Sequence, residues 1–189
     1  MPAHRIGTRV VIPVEYCYSG TLAWNNFDRT GPHRTRPYLG DLTVQLEDRV
    51  RHAIYRYTAR TGAPPRPADL AHDLDITLDE IASAYERLAE RRLLVLESDG
   101  FTIRMAPPFS GVPTQHVVRV GAIDYLANCA WDALGIPAAL RAPGEVRSRC
   151  EQSREPLRLP VSLEGPNASE WLFHCQVPAV HWWRDIVFT

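Results

Sequence analysis

Lysine is missing from the 189 residues, and all 21 basic side chains are arginine. That bias is a trait of GC-rich coding sequence, and no chemistry is drawn from it. A basic excess is missing too, because 22 acidic residues leave a formal charge of -1. A general nucleic-acid or anionic-membrane binder carries a positive footprint, so the balance weighs against both and leaves small polar ligands open. No apolar run approaches the roughly 18 to 20 residues of a membrane span. The early run "RVVIPVEYCYSG" is cut by Glu15 and lacks a signal-peptide layout, so the chain reads as cytoplasmic. Cysteine is scarce: Cys17, Cys129, Cys150 and Cys175 show neither Cys-x-x-Cys pairing nor zinc-ribbon spacing. In a reducing compartment they read as free thiols.

What is present suffices for one good core or two modest ones, at 45% hydrophobic residues. Residues 1–41 have no sustained period and are rich in turn formers, "NNFDRTGPHRTRPYLGD", which reads as an irregular N-terminal extension. Order resumes in "LTVQLEDRVRHAIYRYTARTG", where Leu46, Val50, Ile54 and Tyr57 recur at helical spacing before Gly62. "RPADLAHDLD" predicts a short second helix. "TLDEIASAYERLAERR" predicts a third, opened by a Thr77/Glu80 capping box, with Ile81, Tyr85 and Leu88 on one face. "LLVLE", "SDG" and "FTIRM" then make a hairpin.

Three helices and a two-stranded wing describe a winged-helix-like domain over residues 42–105. Such domains often bind DNA. Here nine arginines face eleven acids, and the helix start that would enter a groove carries Asp79 and Glu80, which phosphates repel. A packing or substrate-covering role is the better expectation. "APPFSGVP" reads as a proline-rich connector that is neither helix nor central strand, and it marks the boundary to a second domain, 106–189. In that half, "QHVVRVG", "EVRSRC", "LRLPVSLEG" and "EWLFHCQVP" predict strands, and residues 122–134 predict a helix ended by Gly135 and Pro137. The fold class expected is α+β.

The central segment, "DYLANCAWDALGIP", sets Cys129 and Asp132 three residues apart. On a helix those positions share a face. A buried cysteine there is ordinarily a small hydrophobe, and an aspartate can simply bond a neighbouring backbone group or arginine. "VHWW", with His181, Trp182 and Trp183, and His174 before it, reads either as a metal and aromatic site or as an aromatic patch packing the last helix on the sheet. The patch is preferred, since no His pair has zinc spacing backed by a third ligand.

Taken in order, "RMAPPFSGVPTQHVV", "YLANCAWDALGIPAAL", "RSRC" and "VPAVHWWRDIVFT" resemble the alkylmercury lyase family. The likeness runs from about residue 42 to 189, and Asn-Cys-Ala-x-Asp-Ala-Leu is its most specific block. The resemblance implies a winged-helix-like domain followed by an α+β catalytic domain. It also implies protonolysis of a carbon–mercury bond to a hydrocarbon and Hg(II), with no organic cofactor and with a small organomercurial as substrate. By that motif Cys129 matches the first catalytic cysteine and mercury ligand, Asp132 the catalytic aspartate, and Cys150 a cysteine of structural role. Thiolate is a soft ligand for a soft metal, and burial keeps a carboxyl protonated near neutral pH. The family places a second catalytic cysteine just beyond the stretch matched by "WWRDIVFT", a position past Thr189, so impaired turnover is expected. Cys175 is the nearby substitute, although it falls where the family pattern has an apolar residue. The alternative reading is a non-enzymatic winged-helix protein that senses a soft metal or small molecule through Cys129.

Overall fold

The computed structural model describes residues 4–6, 9–13, 41–167, 172–175 and 177–187, with backbone alone at 4–6, 9–13, 41–45 and 173–175. It opens with two short strands, β1 (His4–Ile6) and β2 (Arg9–Pro13). The stretch expected to be irregular therefore contains a β-branched run, "RVVIP", that pairs as a strand. Three helices follow, α1 (Asp41–Thr61), α2 (Pro67–Leu74) and α3 (Leu78–Glu90). The apolar stripe of α1 buries Val50 and Ile54 completely. Gly62, at φ +85°, turns the chain away. At α3 the predicted capping box is formed: Thr77 Oγ1 accepts from the Glu80 amide at 3.2 Å, and the Thr77 amide donates to Glu80 Oε2 at 2.8 Å. Glu47 of α1, almost fully buried, binds Arg87 and accepts from Arg91 Nη1 at 3.1 Å, tying α1 to α3.

Strands β3 (Val95–Leu96) and β4 (Ile103–Ala106) form the expected hairpin, but they do not stand alone. After a Pro107–Pro108 turn, β5 (Phe109–Ser110) folds back onto β4, with Ala106 opposite Phe109. The proline-rich segment thus holds a strand after all. Its prolines occupy the turn and leave the Phe109 and Ser110 backbone free to pair. Next come β6 (His116–Val120), β7 (Ile123–Ala127), helix α4 (Ala130–Leu140), β8 (Gly144–Arg149) and β9 (Pro156–Val161). They complete an antiparallel sheet of seven strands in the order β3-β4-β5-β7-β6-β8-β9.

The helix expected over 122–134 is divided in the structure. Its first part is strand β7, paired with β6 through a two-residue loop in which Gly121 takes φ +58°. The helix itself begins at Ala130 and runs through Gly135 and Pro137 to Leu140. Burial of Ala133, Leu134, Ile136 and Pro137 against the sheet outweighs the two residues that ordinarily end a helix.

Two apolar clusters result, one between α4 and the sheet and one among α1–α3 with β4. Tyr55 packs against both. Strand β10 (Leu172–Cys175) joins β2 and β1 in a separate three-stranded sheet, and a short 3-10 helix (Ala179–Arg184) follows. Among the described residues no helix is long and apolar enough to cross a membrane. Mixed helix and antiparallel sheet make this an α+β fold.

Candidate active site

The end of β7 and the start of α4 place the thiol and the carboxyl. Thr114 Oγ1 donates to the Ala127 carbonyl at 2.7 Å and fixes the strand end. Two residues later Cys129 is the N-cap of α4, with extended backbone, and its carbonyl accepts from Ala133 at 3.0 Å. Asp132 is the N3 residue. Cys129 and Asp132 therefore meet as the N-cap and N3 residues of α4 rather than as neighbours on a helix face. The thiol donates to Asp132 Oδ2 at 3.6 Å. The same oxygen accepts from Asn128 Nδ2 at 3.2 Å.

Both groups are tuned by enclosure. Each residue keeps some surface open, yet protein crowds the reacting atoms. Burial pushes the Asp132 pKa up to about 6, against the opposing donations from Asn128 and Cys129. Burial, reinforced by the negative Asp132, pushes the Cys129 thiol up to about 12. The resting sulfur is therefore a thiol with a carboxylate beside it. A soft electrophile that binds the sulfur makes its proton acidic, and the neighbouring carboxylate is placed to take it.

Cys129 and Cys150 are free thiols. Cys150 follows β8, and the register of β7, β6 and β8 brings it to the same end of the sheet as Cys129. Two strand spacings, about 10 Å, separate the two strands that carry them. The Cys150 pKa is lowered by a hydrogen bond from the Ser153 side chain, then by the Ser153 and Gln152 amides. On thiolate character Cys150 leads and Cys129 trails. Cys175 lies in β10 opposite Val10, in the other sheet, and its side chain is outside the described residues, as is that of His174. Cys17 is wholly outside them. Among the described residues no cluster of His, Cys, Asp and Glu is arranged to hold a metal ion.

Among the described residues, the tryptophans of "VHWW" meet helix α4 and the turn after α3. Trp182 meets Trp131 of α4 edge-on at 6.1 Å, and its Nε1 donates to the Val177 carbonyl at 2.7 Å. The Arg92 guanidinium lies 5.7 Å from the Trp183 ring centre.

Sequence reasoning missed three residues around the pair. Asn128 stood in the quoted block, but nothing in the spacing marks a residue before an N-cap. Tyr55 lies beside the α1 stripe. Its hydroxyl donates to the Pro107 carbonyl at 2.8 Å, and the Asp132 charge helps to raise its pKa, after burial. His116 on β6 has Nδ1 2.8 Å from Ser148 Oγ, with its pKa lowered by burial. A shallow groove of about 200 Å³ lies beside Tyr55, Phe109 and Leu140. Neither Cys129 nor Asp132 lines it, so the reaction geometry, not the groove, defines the site.

Residues 109–189, which contain both members of the pair, match the family MerB: alkylmercury lyase. Over these residues the chain is similar to the alkylmercury lyase family. The fold agrees. The crystal structure of the mercury-bound form of MerB2 superposes with a TM-score of 0.50 at 24% identity, covering 67% of this chain and 68% of that one. At that identity the likeness speaks for the fold. No curated protein matches. The chain is thus alkylmercury-lyase-like in its sequence family and in its α+β architecture.

Proposed function

We propose that this lyase-like chain cleaves organomercurials by protonolysis, with Cys129 capturing mercury and Asp132 moving the proton. The observation that carries this reading is the thiol-to-carboxylate contact at 3.6 Å on a crowded helix start. In the capture step R–Hg–X meets Cys129. A sulfur–mercury bond forms, the mercury–X bond breaks, X⁻ leaves, and the thiol proton passes to Asp132. In the release step that proton goes to the carbon, the carbon–mercury electron pair becomes the new C–H bond, and R–H departs. Hg(II) stays on sulfur and the carboxylate is restored. Release needs a further electron donor on mercury, because thiolate donation is what weakens the bond to carbon. Cys150 and Cys175 are the other thiols among residues 109–189.

The helical half, residues 42–105, we read as winged-helix-like and as cover for the site rather than a nucleic-acid reader. Tyr55 on the Pro107 carbonyl supports the first part, and exposed Asp79 and Glu80 at the start of α3 support the second. Free thiols suit a reducing compartment such as the cytoplasm.

The test is benzene released from phenylmercuric acetate, measured by gas chromatography with excess small thiol present, alongside mass spectrometry of the captured adduct. Cys129→Ser should lose capture. Asp132→Asn should keep capture and lose benzene. A chain that captures through Cys129 but releases no benzene at any thiol concentration would instead be a mercury-sensing protein.

A further inference from the structure

We infer that Asn128 is a positioning residue for the proton-carrying carboxyl, clamping Asp132 between strand β5 and the start of α4 so that one oxygen faces the sulfur. The inference rests on the lyase reading for its purpose, but not for its geometry. Asn128 immediately precedes the N-cap. Its amide nitrogen donates to Asp132 Oδ2 at 3.2 Å and lies 3.5 Å from the Phe109 carbonyl. Phe109 is itself held, because it pairs with Ala127 across β5 and β7. The amide therefore ties the carboxyl to a backbone atom whose place the sheet fixes.

Two features separate this from ordinary packing. First, Asn128 and Cys129 donate to the same carboxyl oxygen, Oδ2, which orients the plane of the carboxyl toward the thiol. Second, Asn128 Oδ1 is buried and has no hydrogen-bond partner among the described residues. A buried carbonyl left unpaired is costly, and turning the amide over would set its oxygen against two acceptors. The side chain is thus held by its donor end alone. A donor on the carboxylate also favours the charged form, so Asn128 opposes burial and keeps Asp132 able to accept a proton near neutral pH.

The experiment follows the Asp132 carboxyl directly, by difference infrared spectroscopy of its protonated C=O stretch, assigned with Asp132→Asn. Asn128→Leu and the smaller Asn128→Ala should each move its titration to higher pH by about one unit, a tenfold change in protonated fraction at fixed pH. Phenylmercury capture at Cys129 should stay within a few-fold, while any benzene release drops roughly tenfold or more, with its pH midpoint moved the same way. In the unsubstituted protein the Asn128 side-chain amide signals, followed by ¹⁵N NMR, should shift with the carboxyl's midpoint. Unchanged titration in a folded variant, or an amide blind to that midpoint, overturns the inference. If the protein yields no benzene at all, the lyase reading fails, while the infrared and NMR titrations still decide the role of Asn128.

Discussion

Asp132 carries its own thermodynamic signature. Its pKa is raised from 3.8 to about 6 in the folded protein, so folding holds the proton more tightly than the unfolded chain does. Stability from this group is fully present below pH 3.8 and is lost as pH rises through about 6. Asp132→Asn removes the titration. The variant should therefore gain on the parent as pH rises from about 3.8 to about 6, by up to about 3 kcal/mol, in urea unfolding at a series of pH values. A constant difference across that range contradicts the raised pKa. The thiols make a second residue-level test. With iodoacetamide, which selects thiolate, Cys150 should be alkylated well before Cys129 at pH 7.5, as read by peptide mass spectrometry. Phenylmercury should reverse that order, because Asp132 takes the Cys129 proton only once mercury is on sulfur. The pair itself was legible as a three-residue spacing. Its depth and its tuning were not, since they come from burial in the folded chain and from the Asn128 and Cys129 donations to Asp132.

At the scale of elements, sequence signals were strongest where they were local. Thr77 and Glu80 announced α3, and the α1 stripe announced Val50 and Ile54 as core. They failed where long-range pairing decides. "VGAI" holds a hairpin loop with glycine at positive φ, yet the apolar run after it reads equally well as helix until β6 is there to pair with. Gly135 and Pro137 read as stops until the sheet is there to bury Ala133, Leu134, Ile136 and Pro137 around them. Gly62 shows the same dependence, and it can be measured. A Cβ there would sit 2.5 Å from the Asp124 carbonyl of β7, on a backbone already at φ +85°. Gly62→Ala should destabilise the fold by about 2 kcal/mol or more, well above the usual surface change, in chemical denaturation. A change under about 0.5 kcal/mol would mean that α1 and β7 do not approach each other as described.

Across the molecule, the seven-stranded sheet runs from the helical half into the half that matches the family model without a break, and Tyr55 packs against both cores. The two halves should unfold together. Helix content followed by far-ultraviolet circular dichroism and the Trp131 and Trp182 environment followed by fluorescence should give coincident transitions. Two separated midpoints would make the halves independent. The margins of that sheet bear on how the protein behaves in a crowded solution. One margin, β3, is only two residues long. The other, β9, carries Pro156 and Pro160, which have no amide hydrogen to offer. A foreign strand arriving at either side finds too short a template or gaps in the row of donors. A sheet otherwise wide enough to recruit its neighbours into aggregates is therefore self-limiting.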